Sequence, residues 1–323
     1  MIAGPTASGK SALAVTLARE CNGVVINADS MQVYRELSIL TARPQAGELA
    51  AAPHRLYGVL PGSQACSAGR WRALALAEVA TALAAGRLPI LVGGTGLYLR
   101  AFEDGLNEIP AIPDAIRAAA RAELAEVGSP AFHARLAARD PVMAARLHPG
   151  DSQRLLRAWE VLAATGRSLA DWQAAPSTPA PYRFAKLCLL PPRAALYAAC
   201  DARLAAMVDP AQESGTQGAG GRSGALAEVA DLLALGLDPG LPVMKAVGVP
   251  ELAAHLAGET SLETALAQAQ QATRRYAKRQ ITWLRRQFIG NDPTVAVIET
   301  QYSDSQRAEI FSKIRQNLLT LPG

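Results

Sequence analysis

The sequence of 323 residues predicts an α/β protein, a parallel sheet flanked by helices with an all-helical insertion. Three observations carry this. The turn Gly4-Pro5-Thr6-Ala7-Ser8-Gly9-Lys10-Ser11 opens the chain and runs into a helical stretch. Short apolar runs then alternate with amphipathic ones, as parallel strands joined by helices require. Strand signals vanish over residues 112–177 and return afterwards. Because the turn fits G-x-x-x-x-G-K-[ST] at every constrained position, the sheet is expected to be P-loop NTPase-like.

The elements follow in order. Met1 to Ala3 end a strand, and a helix runs from near Lys10 to about Cys21. Val24-Val25-Ile26-Asn27-Ala28 is a second strand, delivering Asp29-Ser30 to its carboxyl end. Ser67 is the N-cap of a helix over 68–85, stopped by Gly86. Pro89-Ile90-Leu91-Val92 is the next strand, broken by Gly93-Gly94-Thr95-Gly96. In open α/β sheets ligands gather beyond the carboxyl ends of the strands, so Asp29 and Thr95 belong on the rim of the phosphate loop.

Pro110 to Pro113 then mark a change of character. Asp140-Pro141 supplies an N-cap and a proline at the first helical position, and Asp151 caps a helix over 152–165 that Gly166 ends. The Pro-rich stretch 176–181 closes the helical region, and 184–190 returns as a strand. The expected division is a P-loop α/β core with C-terminal helices, 1–111 and 178–323, around a helical insertion, 112–177. Residues 210–224, rich in Gly and Ser and without apolar periodicity, read as a loop. Helices resume at Ala225, and a long one covers 261–287.

Composition narrows the class. Half the residues are hydrophobic, yet no stretch approaches the ~18–20 uninterrupted apolar residues of a membrane span. Met1 runs directly into the loop, so no signal peptide is expected. Cys21, Cys66, Cys188 and Cys200 are far apart and form no C-x-x-C pair, which reads as reduced, buried thiols of a cytoplasmic protein. His54, His133, His148 and His255 are dispersed, without metal spacing or a paired nucleophile, and read as structural or surface residues. The formal charge of +4 permits an anionic partner without demanding one.

The chemistry sits in a few constellations. In the loop, glycine N–H groups cradle phosphate oxygens, Lys10 neutralises them and Ser11 ligates Mg²⁺. The dipole of the helix that follows favours a bound anion as well. Asp29 beside a phosphate site suits a general base, or an outer-shell Mg²⁺ ligand; as an isolated Asp-Ser it would read as a cap. Gly93-Gly94-Thr95-Gly96 lacks full dinucleotide spacing and reads as a tight turn presenting Thr95. Gln153 and Arg157 lie one turn apart on one helix face. The segment 274–286 carries six positive charges and no acid, with Tyr276, Gln280 and Trp283 interleaved. Such a helix is a footprint for nucleic-acid backbone and unstacked bases, against the simpler reading of a basic surface helix that packs by Ile281, Trp283 and Leu284.

Taken together, these pieces resemble the tRNA dimethylallyltransferase (tRNA isopentenyltransferase) family. The resemblance rests on residues 4–11, Asp29-Ser30-Met31-Gln32-Val33-Tyr34, Thr41-Ala42-Arg43-Pro44, Ala52-Pro53-His54-Arg55-Leu56, 91–98, Gln153-Arg154-Leu155-Leu156-Arg157 and Lys278-Arg279-Gln280-Ile281-Thr282-Trp283-Leu284-Arg285. It implies that the loop holds dimethylallyl diphosphate rather than ATP. The dimethylallyl group would move to N6 of the adenosine 3′ of the anticodon, flipped into a channel. Asp29 would accept the amine proton; Lys10, Thr6 and Arg203 would act at the diphosphate with Mg²⁺ on Ser11. Asp29, Ser30, Met31, Gln32, Thr95, Arg117, residues 153–157 and residues 278–285 match positions that contact tRNA, the helical insertion gripping the anticodon stem-loop. Two departures stand out. A Gly-Tyr-Arg-like element of the family reads Val247-Gly248-Val249-Pro250 here, and 210–224 resembles an insertion. No zinc-finger extension is seen, so the resemblance implies a bacterial-type enzyme, expected to act as a cytoplasmic monomer without membrane contact.

Two other readings compete. A small-molecule or nucleotide kinase is the commonest owner of such a loop, but has no need of the basic C-terminal helix. A non-catalytic RNA-binding protein with a vestigial loop has no need of an intact Lys10, Ser11 and Asp29.

Overall fold

The computed structural model describes residues 1–107, 109–209, 224–290, 292–302, 308 and 310–312. It divides into two compact units, Met1–Glu103 with Pro181–Gly323, and Asp104–Ala180. The sequence expectation of an insertion over 112–177 is narrower at both ends. Close local contacts explain the wider one: the Ser177 hydroxyl donates to the Asp104 carbonyl at 2.6 Å, and Gly105, at φ 85°, backs onto Thr178. The loop read over 210–224 lies, except for Gly224, outside the described residues.

In the first unit a six-stranded sheet has the order β3-β2-β4-β1-β5-β6. These are β1 (Ile2–Ala3), β2 (Gly23–Asn27), β3 (His54–Arg55), β4 (Leu88–Gly93), β5 (Lys186–Leu189) and β6 (Val295–Ile298). Every pairing is parallel. Strand β1 is only two residues long but central, with Ile2 opposite Val92 on one side and Leu187 on the other. Strands β3 and β6 are absent from the sequence reading. The first is too short for any period to show; the second, Val-Ala-Val-Ile after Asp-Pro, carries an apolar turn-bounded signal that was available.

Helix α1 (Lys10–Glu20) packs Leu13, Ala14, Leu17 and Ala18 against Ile2, Val25, Ile90, Val92, Leu187 and Leu189 of the sheet. Helix α2 (Ala46–Ala51) is short, and α3 (Ala68–Ala84) starts where expected, the Ser67 hydroxyl accepting from the Arg70 N–H at 3.1 Å. Trp71 of α3 is fully buried, stacked 4.4 Å from Tyr98 of α4 (Gly96–Asp104), and donates from Nε1 to Asn27 O at 2.8 Å. A large aromatic that also satisfies its polar handle is worth more than its buried area alone.

The second unit holds α5 (Asp114–Arg139), α6 (Pro141–Ala144), α7 (Ser152–Thr165) and α8 (Leu169–Ala174). Helix α5 is two arms joined at Gly128, whose φ of 74° interrupts the helical backbone two residues before Pro130. Phe132, Leu136, Leu155, Ala158 and Val161 make its core. Asp140 caps α6 through Met143 N and accepts from the Ser168 hydroxyl at 2.7 Å, tying α6 to α8.

Back in the first unit, α9 (Arg193–Val208), α10 (Gly224–Ala234), α11 (Val249–Leu256) and α12 (Leu262–Trp283) follow, α12 running on as π-helical turns over Leu284–Ile289. The four histidines bond to nearby main chain and form no cluster with other ligating groups among the described residues. All four cysteines are free, but only Cys188 and Cys200 are buried. Cys21 is exposed at the end of α1 and Cys66 is half-buried, so the expectation of four buried thiols is corrected. No helix among the described residues is long and apolar enough to cross a membrane.

Helix α12 lies so close to the turn after β4 that a Cβ on Gly96 would fall inside the Trp283 indole. Gly96→Ala is expected to lower stability by about 1–3 kcal/mol through overpacking. Urea unfolding of this variant and of Gly96→Ala with Trp283→Leu tests it, the second change recovering most of the loss. Equal midpoints for Gly96→Ala and the parent would refute the close approach.

Candidate active site

The phosphate-binding turn runs from β1 to α1. Ala7 and Gly9 take left-handed backbone conformations, φ 61° and 86°, which turn successive N–H groups toward one point at the helix start. A non-glycine residue in that region is strained, and the neighbours hold it. Gln280 Oε1 accepts from Thr6 N at 2.8 Å, and Gln301 Nε2 donates to Ala7 O at 2.8 Å. Tyr302 packs beneath Gly9, where a Cβ would lie 2.8 Å from its own Cβ. Its hydroxyl reaches Thr16 of α1 at 3.2 Å. Gln301 and Tyr302 follow β6, and without that strand no feature of the sequence points to them.

Lys10 donates from Nζ to Pro5 O at 3.2 Å. Burial pulls its pKa down to about 8, the Asp29 carboxylate opposing the shift and the Arg203 guanidinium adding to it. Arg203 of α9 donates to the Thr6 hydroxyl and is also shifted down, chiefly by burial. Two cations with few counter-charges at the mouth of an N–H nest make a site for a polyanion.

Asp29 follows β2 in a tightly built corner. Fully buried Asn27 accepts from Asp29 N at 2.8 Å and donates from Nδ2 to Asp29 O and Leu56 O, both at 3.0 Å. Asp29 Oδ1 accepts from Met31 N at 2.9 Å. The Thr95 hydroxyl accepts from Ser30 N at 2.9 Å, so the turn after β4 is tied to the corner after β2. Tyr276 of α12 bonds to Thr95, and burial, with Asp29 nearby, raises its phenol pKa and keeps it a neutral hydroxyl.

Two cavities meet here. The larger, about 640 Å³, is lined by residues 6–12 with Asp29, Gln32, Arg43, Glu48, Arg203 and Met207 among others. The smaller, about 240 Å³, is lined by Ser30, Met31, Leu40, Leu204, Val247, Tyr276 and Arg279 among others. Thr6, Asp29, Thr41, Arg203 and Met207 border both. Thr6, Lys10, Asp29, Ser30, Met31, Thr95 and Arg203, expected from sequence as site residues, are thus brought together. Gln32 lines the larger cavity, but its amide is committed to Thr41 O and Ala42 O at 2.8 and 3.1 Å.

Other expected contacts are redistributed. Gln280, Leu284 and Leu155 are buried, so their side chains serve the interior rather than a binding surface. Gln280 donates from Nε2 to Gly94 O at 3.0 Å while holding Thr6. Ile281 is half-buried against the cluster of Leu196, Cys200 and Ala277, and Trp283 lies against Gly96. Arg274 is held by Asp201, both carboxylate oxygens at 2.7 Å, which leaves Lys278, Arg279, Arg285 and Thr282 on the exposed face of this helix. In the helical unit Gln153 and Arg154 are exposed, and Leu156 is half-buried against the unit's core. Arg154 pairs with Asp151 at 3.3 Å, Arg157 with Glu160 at 3.8 Å and Arg117 with Asp114 at 4.0 Å. Arg117 is near enough to Arg157 to help lower its pKa, after the larger effect of burial, so two cations converge there.

The donor set around Ser11 suits a hard cation. Ser11, Asp29 and Glu48 line one cavity with oxygen donors. No group of three His, Cys, Asp or Glu among the described residues forms a closed cage. Mg²⁺ fits such a place, because it keeps water and takes phosphate oxygens alongside one or two protein ligands.

Lys10 titration makes a prediction. In the free protein it loses its proton as pH rises through about 8, and a bound polyanion opposes that loss. The affinity for inorganic pyrophosphate, relative to Lys10→Arg, is expected to fall by up to about tenfold per pH unit above that point. Calorimetric titration from neutral to alkaline pH checks it, and a constant ratio would overturn it.

Comparison with known proteins identifies the family. The profile of the IPP transferase family matches residues 32–287. The chain is 58% identical over 323 residues to the tRNA dimethylallyltransferase of Paramagnetospirillum magneticum, covering 100% of this chain and 97% of that one. It is 59% identical over 290 residues to the enzyme of the same name from Rhodospirillum centenum, covering 89% and 88%. Among solved structures, the tRNA isopentenylpyrophosphate transferase of Bacillus halodurans superposes with a TM-score of 0.66 at 32% identity, covering 98% of this chain and 97% of that chain. A eukaryotic dimethylallyltransferase acting on tRNA superposes with a TM-score of 0.77 at 25% identity, covering 99% of this chain and 79% of that chain. The chain belongs to the IPP transferase family.

Proposed function

We propose that this protein is a tRNA dimethylallyltransferase, moving a dimethylallyl group from its diphosphate to N6 of the adenosine 3′ of the anticodon. The observation that carries the reading is the meeting of a polyanion cavity and a second cavity at one carboxylate, Asp29. The diphosphate lies on the phosphate loop, its allylic carbon toward Asp29, and the adenine edge enters from the side of Tyr276 and Arg279. As the C–O bond of the donor breaks, its electron pair leaves with diphosphate. The N–H groups of the loop, Lys10, Arg203 and the Thr6 hydroxyl stabilise that charge. The N6 lone pair forms the new C–N bond, and Asp29 takes the N6 proton. Thr95 and Ser30 orient the base edge. Ser11 would hold Mg²⁺ at the diphosphate, where the cation would supply charge neutralisation of the leaving group.

Arg117, Gln153, Arg154 and Arg157 of the helical unit, with Lys278, Arg279 and Thr282 of α12 and Arg285 of the π-helical turns after it, contact the anticodon stem-loop, and the protein acts as a cytoplasmic monomer. A kinase reading remains the contrasting outcome of the same assay. Unmodified tRNA and Mg²⁺ are incubated with labelled dimethylallyl diphosphate and, in parallel, with labelled ATP. Label transfer from the prenyl donor supports the reading, and phosphate transfer from ATP alone defeats it.

Two variants sharpen this. Asp29→Ala is expected to lower turnover by about 10²–10⁴-fold, the range of a lost general base, with tRNA affinity only modestly weaker. A near-parental rate would remove Asp29 as the base. Arg279→Ala and Arg285→Ala are expected to weaken tRNA binding and to flatten its salt dependence by about one unit each. Arg274→Ala, which loses an internal ion pair, leaves that slope unchanged.

A further inference from the structure

Glu228 of α10 is a buried carboxylate that the chemistry above does not use. Its Oε1 accepts from Ser38 N, from the Ser38 hydroxyl at 2.9 Å and from Ile39 N at 2.8 Å. Its Oε2 accepts from Leu40 N at 2.9 Å. Three successive main-chain donors form the kind of concavity that elsewhere receives an anion. Here the protein fills it with its own side chain.

The held segment is a wall common to both cavities. Ile39, Thr41 and Ala42 line the larger one, Leu40 and Thr41 the smaller. The Gln32 amide, itself lining the larger cavity, fastens the Thr41 and Ala42 carbonyls. Leu40 is bounded further by Gly248, at φ 98°, where a Cβ would lie 3.0 Å from Leu40 Cδ2. Met31, Leu204, Met207 and Val247 belong to the apolar lining of the smaller cavity.

We propose that Glu228 is a positioning residue that, through Ile39 and Leu40, sets how long an allylic chain the site accepts. The inference rests on the prenyl-transfer reading. With diphosphate on the loop, the chain extends toward the junction at Asp29 and meets this wall. A five-carbon group ends against it; a ten-carbon group of the same class needs the wall to withdraw.

Glu228→Gln tests this at nearly constant volume. The carboxylate is acceptor-only, whereas an amide puts a donor opposite either Leu40 N or the Ser38–Ile39 pair. With tRNA as co-substrate, KM for dimethylallyl diphosphate is expected to rise about 5–10-fold, with kcat and the KM for tRNA within about twofold. The ratio of kcat/KM for geranyl over dimethylallyl diphosphate is expected to rise about tenfold. Leu40→Ala shortens the wall without touching the carboxylate and raises the same ratio, which keeps the test decisive if Glu228→Gln folds poorly. An unchanged ratio in both variants overturns the proposal. So does a fall in kcat with a similar rise in both KM values and a lowered Tm, the signature of a purely structural residue. If the parent protein uses no allylic donor at all, the prenyl-transfer reading fails first and this one with it.

Discussion

Two glycine-rich turns at the carboxyl edge of the sheet must keep a fixed separation, and one buried amide holds them. Gln280 accepts from Thr6 N in the phosphate loop and donates to Gly94 O in the turn after β4. Truncating it would leave two buried main-chain groups unpaired, each costing about 1–3 kcal/mol. The approach is possible only because positions 94 and 96 carry no side chain, which lets Gln280 and Trp283 reach the backbone. Helix α12 thereby does more than present charge. It fixes the distance between the phosphate loop and the turn that carries Thr95.

Around that brace the site is electrostatically unbalanced. Lys10 and Arg203 are desolvated and share one nearby carboxylate, Asp29. The protein bears this cost without a ligand, and a bound polyanion relieves it. The strained Ala7 is held from three directions, by Gln280 at Thr6, by Gln301 at its own carbonyl and by Tyr302 under Gly9. The same logic recurs at residues 38–40, where a carboxylate of the chain occupies an anion-seeking nest. The donors there are spent on shaping a wall rather than on binding.

Much of the layout was legible because it is local. The phosphate loop needs particular residues at fixed spacing, and helix caps such as Ser67, Asp140 and Asp151 announce themselves by one side chain and one N–H three residues on. Strand β2 and Asp29 were legible for the same reason, an apolar run ending in a polar corner. Strand β3, with two residues, has no period to read, and the two arms of α5 run on until Gly128 turns the backbone. The basic helix was read correctly as basic and only partly as a surface. Charge is visible in sequence, but the partner that neutralises Arg274 lies 73 positions away.

What the chain alone determined, then, was its phosphate-loop turn, its alternation of strands and helices, and the residue types available to the site. Those follow from covalent geometry, periodicity and short-range hydrogen bonding. Tertiary structure decided which of them face one another: that Gln280 and Leu284 look inward, that Arg203 joins Thr6 across 197 positions, and that Glu228 governs a cavity wall it does not line. Such pairings depend on how separate elements close upon each other, and residue spacing along a chain holds no record of that distance.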